Sequence, residues 1–218
     1  MPKIVDVTRR RERIADAVFA LIERGGVEAA SLRNVASEAG LNVGSVRHYI
    51  DGHEGMLIES LQVMEERIEK RIWARVEVFQ KEQLKNTKDS LKELSPKAER
   101  VIAASPAFRD MAVDVLEELL PLDATRRREV AVWLALSERS RTQKSLRTQA
   151  QEMIEGARIV TRPLVEYARV PEAELRAECL AVAVDGLAVA LLYGPERLNA
   201  KTVREILHRH VDAALDAR

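Results

Sequence analysis

Ser45, Arg47, His48 and Tyr49 lie within five consecutive positions of the 218-residue chain. A hydroxyl, a guanidinium, an imidazole and a phenol at this spacing are suited to phosphates, sugars and base edges. Arg47 can donate either to guanine or to a phosphate. His48 and Tyr49 can reach phosphate, sugar or a thymine methyl, with a packed Tyr49 and a merely exposed His48 as the plain alternative. Gly44 and Ser45 are small enough to let the backbone approach closely. Upstream, Ser31 and Arg33 sit where a helix would begin and can hold phosphates through side chains and the helix dipole. Asn42, Val43, Arg10 and His53 complete this candidate set of DNA contacts.

Catalytic and metal chemistry find less support. The chain has no glycine-rich phosphate loop, no His/Cys set with metal spacing and no nucleophile elbow. His208 and His210 are two residues apart on a helical stretch and point away from each other, so they cannot share a metal. Neither a metal nor a cofactor nor an enzymatic activity is expected.

The elements that must position these groups can be read from the spacing of apolar residues. Leu32, Val35, Ala36 and Ala39 follow the i, i+3, i+4, i+7 pattern of a helix. Ser31 suits its N-cap and Gly40 its end. Leu41 turns back into the core, Asn42 can cap the next helix, and that helix spans about Val43 to Tyr49. A short exposed polar helix held by a capped partner is how a helix-turn-helix presents a recognition helix to the major groove. A preceding helix, from about Arg9 to Arg24, stops at Gly25-Gly26. Residues 1–8 read as a loose arm, and Arg9, Arg10, Arg11 and Arg13 as a plausible phosphate-contacting run. The run itself reads equally as a solvated helix start. Residues 1–53 hold eight Lys/Arg against seven Asp/Glu, so the basic character is local.

After the Asp51-Gly52 turn, Leu57, Leu61, Met64, Ile68, Ile72, Val76 and Phe79 recur every three or four residues. About 30 residues of helix would span about 45 Å and link a head to a separate body. Residues 83–104 are polar, Lys-rich and interrupted by Pro96, with a short helix near Lys97–Ala104. Helices are expected over Pro106 to Pro121, Thr125–Arg141, Ser145–Arg169, Pro171 to Tyr193 and Ala200–Asp216. The chain is 46% hydrophobic and 4% aromatic, and no alternating β-branched run occurs. The expected fold is all-α, with a three-helix DNA-binding head over residues 1–52 and a helical effector-binding and dimerisation body over 53–218.

Phe79, Phe108, Met111, Trp133, Met153 and Tyr167 are the large side chains of the body and the candidate lining of an effector pocket. Ordinary core packing is the alternative for each. Arg139, Arg141 and Arg162 face either such a pocket or solvent. Cys179 to Leu192 is apolar almost all round, which implies burial on more than one side. A partner subunit would supply the second surface, giving a four-helix interface about a two-fold axis. Val184, Asp185, Leu187, Leu191, Leu207, Val211 and Leu215 are its candidate residues. Asp185 in this apolar setting needs a hydrogen-bond partner or a raised pKa. Cys179, the single cysteine, excludes an internal disulfide and reads as a small core residue. The 15-residue stretch Cys179–Tyr193 is too short to span a membrane and is interrupted by Asp185. With no apolar signal segment at the N-terminus, the cytoplasm is the expected compartment.

The segments IADAVFALIERGG and ASLRNVASEAGLNVGSVRHYIDGHEGML resemble the TetR family of transcriptional regulators. Gly44, Ser45, Val46 and Tyr49 fit that family's third-helix pattern. Arg47 stands where tyrosine is usual, Ile50 where phenylalanine is usual and His53 where lysine is usual. The tail AVDGLAVALLYGPERLNAKTVREILHRHVDAAL resembles the last two helices of BetI-like members. The resemblance implies a homodimer, most often a repressor, on a palindromic double-stranded operator, released when a small molecule in the body spreads or tilts the heads. Two rivals stay open: a DNA-binding regulator without a small-molecule effector, and a helical interaction or scaffold protein.

Overall fold

The computed structural model describes residues 3–86, 96–143 and 147–216. All regular structure among these residues is helical. The chain forms two compact units: Met1–Ile68 with Arg127–Ile154, and Glu69–Arg126 with Glu155–Arg218.

The first unit begins with α1 (Lys3–Gly25). The expected loose arm is therefore helical from Lys3 onward. Gly26 stops the helix at φ 73° and a short 3-10 turn, Val27–Ala29, follows. Next come α2 (Leu32–Glu38) and α3 (Val43–Tyr49), then the start of α4 (Gly52–Asn86). α1 buries Ile14, Ala15, Val18, Phe19 and Ile22 against Val35 and Ala36 of α2, Val46 of α3, and Met56, Leu57, Leu61 and Met64 of α4. Charged pairs on the rim of this core join α1 to α4: Arg67 donates to Asp16 at 2.6 Å, and Arg11 pairs with Glu59 and Glu66.

α7 (Ala124–Ser140) adds to the same core. Val132 and Leu136 are buried in it, and Trp133 and Ala135 pack against it. Arg128 pairs with Glu23 at 2.8 Å, Arg139 with Glu28, and Gln143 donates to Glu54. A segment nearly 60 residues beyond the end of α4's first half thus completes the core of the N-terminal unit. α8 (Arg147–Ile154) closes this unit in the chain.

The second unit holds the rest of α4, then α5 (Pro96–Ala103), α6 (Pro106–Glu117), α9 (Gly156–Ala168), α10 (Ala173–Tyr193) and α11 (Ala200–Leu215). Ser105 caps α6 by accepting from the Phe108 N–H at 3.2 Å, and Pro106 takes the first turn, where its missing N–H costs nothing. The single helix expected over Ser145–Arg169 is two, broken at Glu155, where Gly156 lowers helix propensity. α10 packs on α9 and α11, and α11 packs on α6. Arg109 ties α6 to Asp212 and Asp216 of α11, and Arg204 of α11 returns to Asp114 and Glu117 of α6. The stretch 87–95, within the least legible part of the sequence, lies outside the described residues.

Leu136→Ala is expected to destabilise the first unit by about 2–5 kcal/mol, the usual cost of emptying a buried leucine site. Urea unfolding followed by circular dichroism checks this. A loss below about 1 kcal/mol would mean that α7 is not part of that core.

Candidate DNA-binding surface and body sites

α2 and α3 are held in place by their caps. The Ser31 Oγ accepts from the Asn34 N–H at 3.2 Å, and the Asn34 amide donates to the Ala29 carbonyl at 2.9 Å. Gly40 ends α2 at φ 62°, a conformation that disfavours any side chain. The Leu41 N–H then closes onto the Ala36 carbonyl at 2.8 Å, and its side chain packs on the core. The Asn42 Oδ1 accepts from the Ser45 N–H at 2.6 Å, capping α3. The tight turn therefore forms as the spacing of serine, glycine and asparagine requires.

The candidate DNA-contacting residues divide by availability. Arg33 and Arg47 are exposed, and neither meets an acceptor among the described residues. Gly44 and Asn42 are exposed; Ser31, Val43, Ser45 and His53 are half-buried. The side chains of His48 and Tyr49 lie outside the described residues. The basic run of α1 is largely committed elsewhere: Arg11 to two glutamates of α4, and Arg13 to the Ala39 carbonyl at the end of α2 at 2.5 Å. Arg10 is half-buried and not free. Arg13 is better described as a strut between α1 and α2 than as a phosphate arm.

In the second unit, three of the six candidate pocket residues meet. The Phe108 ring of α6 stacks on Tyr167 of α9 with centroids 5.3 Å apart. Phe79 of α4 meets Phe108 edge-on at 5.8 Å. Met111, about one turn beyond Phe108 on the same helix, is buried. Burial, with some help from the Glu99 carboxylate, pushes the Tyr167 hydroxyl up. Trp133 does not join this group, because it packs on the core of the first unit. Met153 belongs to the first unit as well, and its side chain lies outside the described residues. Arg139 and Arg141 are likewise paired elsewhere, with Glu28 and Glu138.

The candidate dimer residues need correction. Val184, Leu187, Leu191, Leu207, Val211 and Leu215 are all buried within the protomer, against its own helices. Side chains already enclosed by α6, α9, α10 and α11 cannot supply an outer surface. Asp185 also turns inward, to Arg158 of α9 at 3.2 Å, while Arg158 also holds Glu178 at 2.6 Å. Among the exposed residues of α10 are Leu175, Cys179, Val182, Gly186 and Tyr193, a stripe at helical spacing. Cys179 is exposed there and is not a core residue. The sequence misled on this point because a helix apolar all round has no preferred face to read.

Two further features had no sequence signal. Glu118, only 4% exposed, accepts from Arg71 at 3.0 Å and Arg75 at 2.7 Å, with Arg126 at 3.5 Å. Four charges from α4, the end of α6 and the start of α7 converge there. A groove of about 340 Å³ runs between α9 and α10, lined by Arg158, Thr161, Arg162, Glu174 and Leu175 among others. Among the described residues no group of three His, Cys, Asp or Glu could hold a metal. No described helix is long and apolar enough to cross a membrane.

A capped seven-residue helix with a free arginine, fixed on a helical core and followed by a larger helical unit, defines the helix-turn-helix class of DNA-binding regulators. The family pattern described as "BetI-type transcriptional repressor, C-terminal" matches residues 108–216. The chain belongs to the TetR family of transcriptional regulators, with a C-terminal half of the BetI type. It is 29% identical over 218 residues to the HTH-type transcriptional regulator PksA of Bacillus subtilis (strain 168), covering 98% of this chain and 93% of that protein. A transcriptional regulator from Rhodococcus sp. RHA1 superposes with a TM-score of 0.70 at 25% identity, covering 94% of this chain and 95% of the other. A regulator from Saccharomonospora viridis, solved in complex with choline, superposes equally well at 0.70 and 18% identity, over 94% and 96% of the two chains.

Asp185 supplies a pH test of the α9–α10 contact. Burial pushes its carboxyl up, Arg158 pulls it down, and Glu178 adds repulsion. The net direction is upward, so the folded chain holds this proton more readily than the unfolded chain. The stabilisation is complete below the ordinary aspartate value of about 3.9 and is lost as pH rises through the higher folded value. Asp185→Asn is expected to remove that slope. Urea midpoints measured at a series of pH values above 4 check it, and an unchanged slope would place its origin elsewhere.

Proposed function

We propose that the protein represses transcription by binding a palindromic double-stranded operator as a homodimer, and that a small molecule in the second unit releases it. The observation that carries this reading is the pair of free, exposed guanidiniums, Arg33 and Arg47, on a capped helix-turn-helix. Residues 1–52 are the part that reads DNA, and 53–218 the part that binds effector and partner. The remaining proposed contacts are Ser31, Asn42, Val43, Gly44, Ser45, His48, Tyr49 and His53. The setting is the cytoplasm, where the DNA is.

The outward stripe of α10 supports the homodimer. Leu175, Val182 and Tyr193 are 59%, 54% and 78% exposed. Gly186 between them lets a second helix approach closely. Two copies of this stripe, with the neighbouring outer face of α11, would form a four-helix contact about a two-fold axis.

The Phe79–Phe108–Tyr167 cluster supports an effector. Aromatic faces attract organic cations, and the Glu99 carboxylate acts on Tyr167 from nearby. The choline bound by the related Saccharomonospora protein is a cation of this kind. The rings are in mutual contact, so a ligand would enter by separating them. That closed packing also favours a second reading, in which the regulator answers to abundance or to a protein partner. A thermal shift with choline distinguishes the two: stabilisation that Phe108→Ala abolishes supports the effector site, and no shift with choline or other organic cations supports the second reading.

Titration of the dimer with DNA from around its own gene, at several salt concentrations and against random DNA, tests the main reading. Specific binding is expected to exceed nonspecific binding by about 10³-fold or more and to weaken steeply with salt. Arg33→Ala should lower affinity for both DNAs. Val182→Glu should convert the dimer to monomer in sedimentation and abolish tight operator binding. Equal weak binding to all duplexes, including pools of random sequence, would favour the scaffold reading.

A further inference from the structure

The surface of α3 narrows what the operator must contain, an inference that rests on the DNA-binding reading above. Among the described side chains of α3, Val46 is fully buried and Val43 and Ser45 are half-buried. Gly44 is exposed but has no side chain to offer. Arg47 is exposed and unpaired. It shares a helix face with Val43 and Gly44, at i−4 and i−3. The missing side chain at Gly44 lets this face approach a groove floor closely.

Several neighbouring polar groups are already engaged. The Asn42 Oδ1 is held by the Ser45 N–H at 2.6 Å. A bidentate pair with adenine needs both the oxygen and the nitrogen of an amide, and the cap bond already fixes how the Asn42 amide is turned and takes one of the two lone pairs of its oxygen. Arg13, Arg24 and Arg67 are spent on Ala39, Glu38 and Asp16. Arg33 is free but lies on α2, the helix that crosses the DNA backbone in this motif and does not enter the groove. Among the described side chains of α3, the one long donor is the Arg47 guanidinium. Its planar fork matches the N7 and O6 acceptors of guanine.

We infer that Arg47 reads a guanine at one fixed position in each operator half-site, donating two hydrogen bonds to N7 and O6 in the major groove. Arg33 holds phosphate and carries no sequence information. The sequence alone left Arg47 open between base and phosphate. The bare face at Gly44 and the lack of any ion pair at Arg47 among the described residues favour the base.

The test is selection of bound duplexes from a random pool with the full-length dimer, as wild type, Arg47→Ala and Arg33→Ala. Wild type is expected to enrich a two-fold-symmetric site with guanine fixed once per half. Arg47→Ala should erase the preference at that position alone, a loss of about 5- to 150-fold in discrimination, and leave the other positions in place. Arg33→Ala should weaken binding evenly and keep the guanine. Because Arg47 is exposed and unpaired, its variant should unfold at the wild-type temperature. The inference is overturned if the wild-type site has no fixed guanine, or if Arg47→Ala weakens binding evenly while the guanine persists. Failure of the wild type to enrich any sequence would instead refute the DNA-reading function, and the inference with it.

Discussion

Two helices of seven residues each cannot hold themselves in water, because a helix that short does not recover the cost of its nucleus. The recognition surface therefore depends on burial. Val35 and Ala36 of α2, Val46 of α3 and Ile50 just after it are all enclosed by α1, α4 and α7. The caps at Ser31 and Asn42 then satisfy backbone donors that this burial would otherwise strand. Structure and function divide the polar side chains between them. Ser31, Asn42 and Arg13 are used in holding the turn, and Arg33 and Arg47 remain outside.

The second unit follows a different rule. Its helices are mostly longer, up to the 21 residues of α10, and charged pairs on their rims set how they register. Arg109 and Arg204 stitch α6 to α11 in both directions, and Arg158 stitches α9 to α10. Glu118 is the extreme case, a carboxylate taken out of water and compensated by several guanidiniums. Removing one partner from such a cluster costs more than the pair contributes, since the survivor stays buried without compensation. The aromatic cluster joins α4, α6 and α9 among these pinned helices.

Sequence reasoning reached the elements whose punctuation is local. Ser31, Gly40, Asn42 and Pro106 mark helix ends that the structure places within a residue or two of expectation. It failed where the deciding partner is distant. Arg11 and Arg13 look like a basic arm until Glu59, Glu66 and Ala39 arrive beside them. Trp133 looks like a pocket residue until α7 joins the first core. Leu187 and Leu191 look like interface until α9 and α11 cover them, because α10 is apolar on every side. The meeting of Phe79, Phe108 and Tyr167 was legible only as a list of large residues, since nothing local says that α4, α6 and α9 converge.

The insertion of α7 into the first core bears on how this protein could be cut and recombined. A fragment ending with α4 would lack Val132 and Leu136 and would expose the leucines and methionines they cover. The DNA-reading head is thus not a module that can be excised at a linker. Grafting it onto another body would require carrying α7 along, or choosing a recipient whose equivalent helix presents the same small set of apolar side chains. Exchange of specificities between relatives should therefore proceed by substitution on α3 more readily than by shuffling of whole heads.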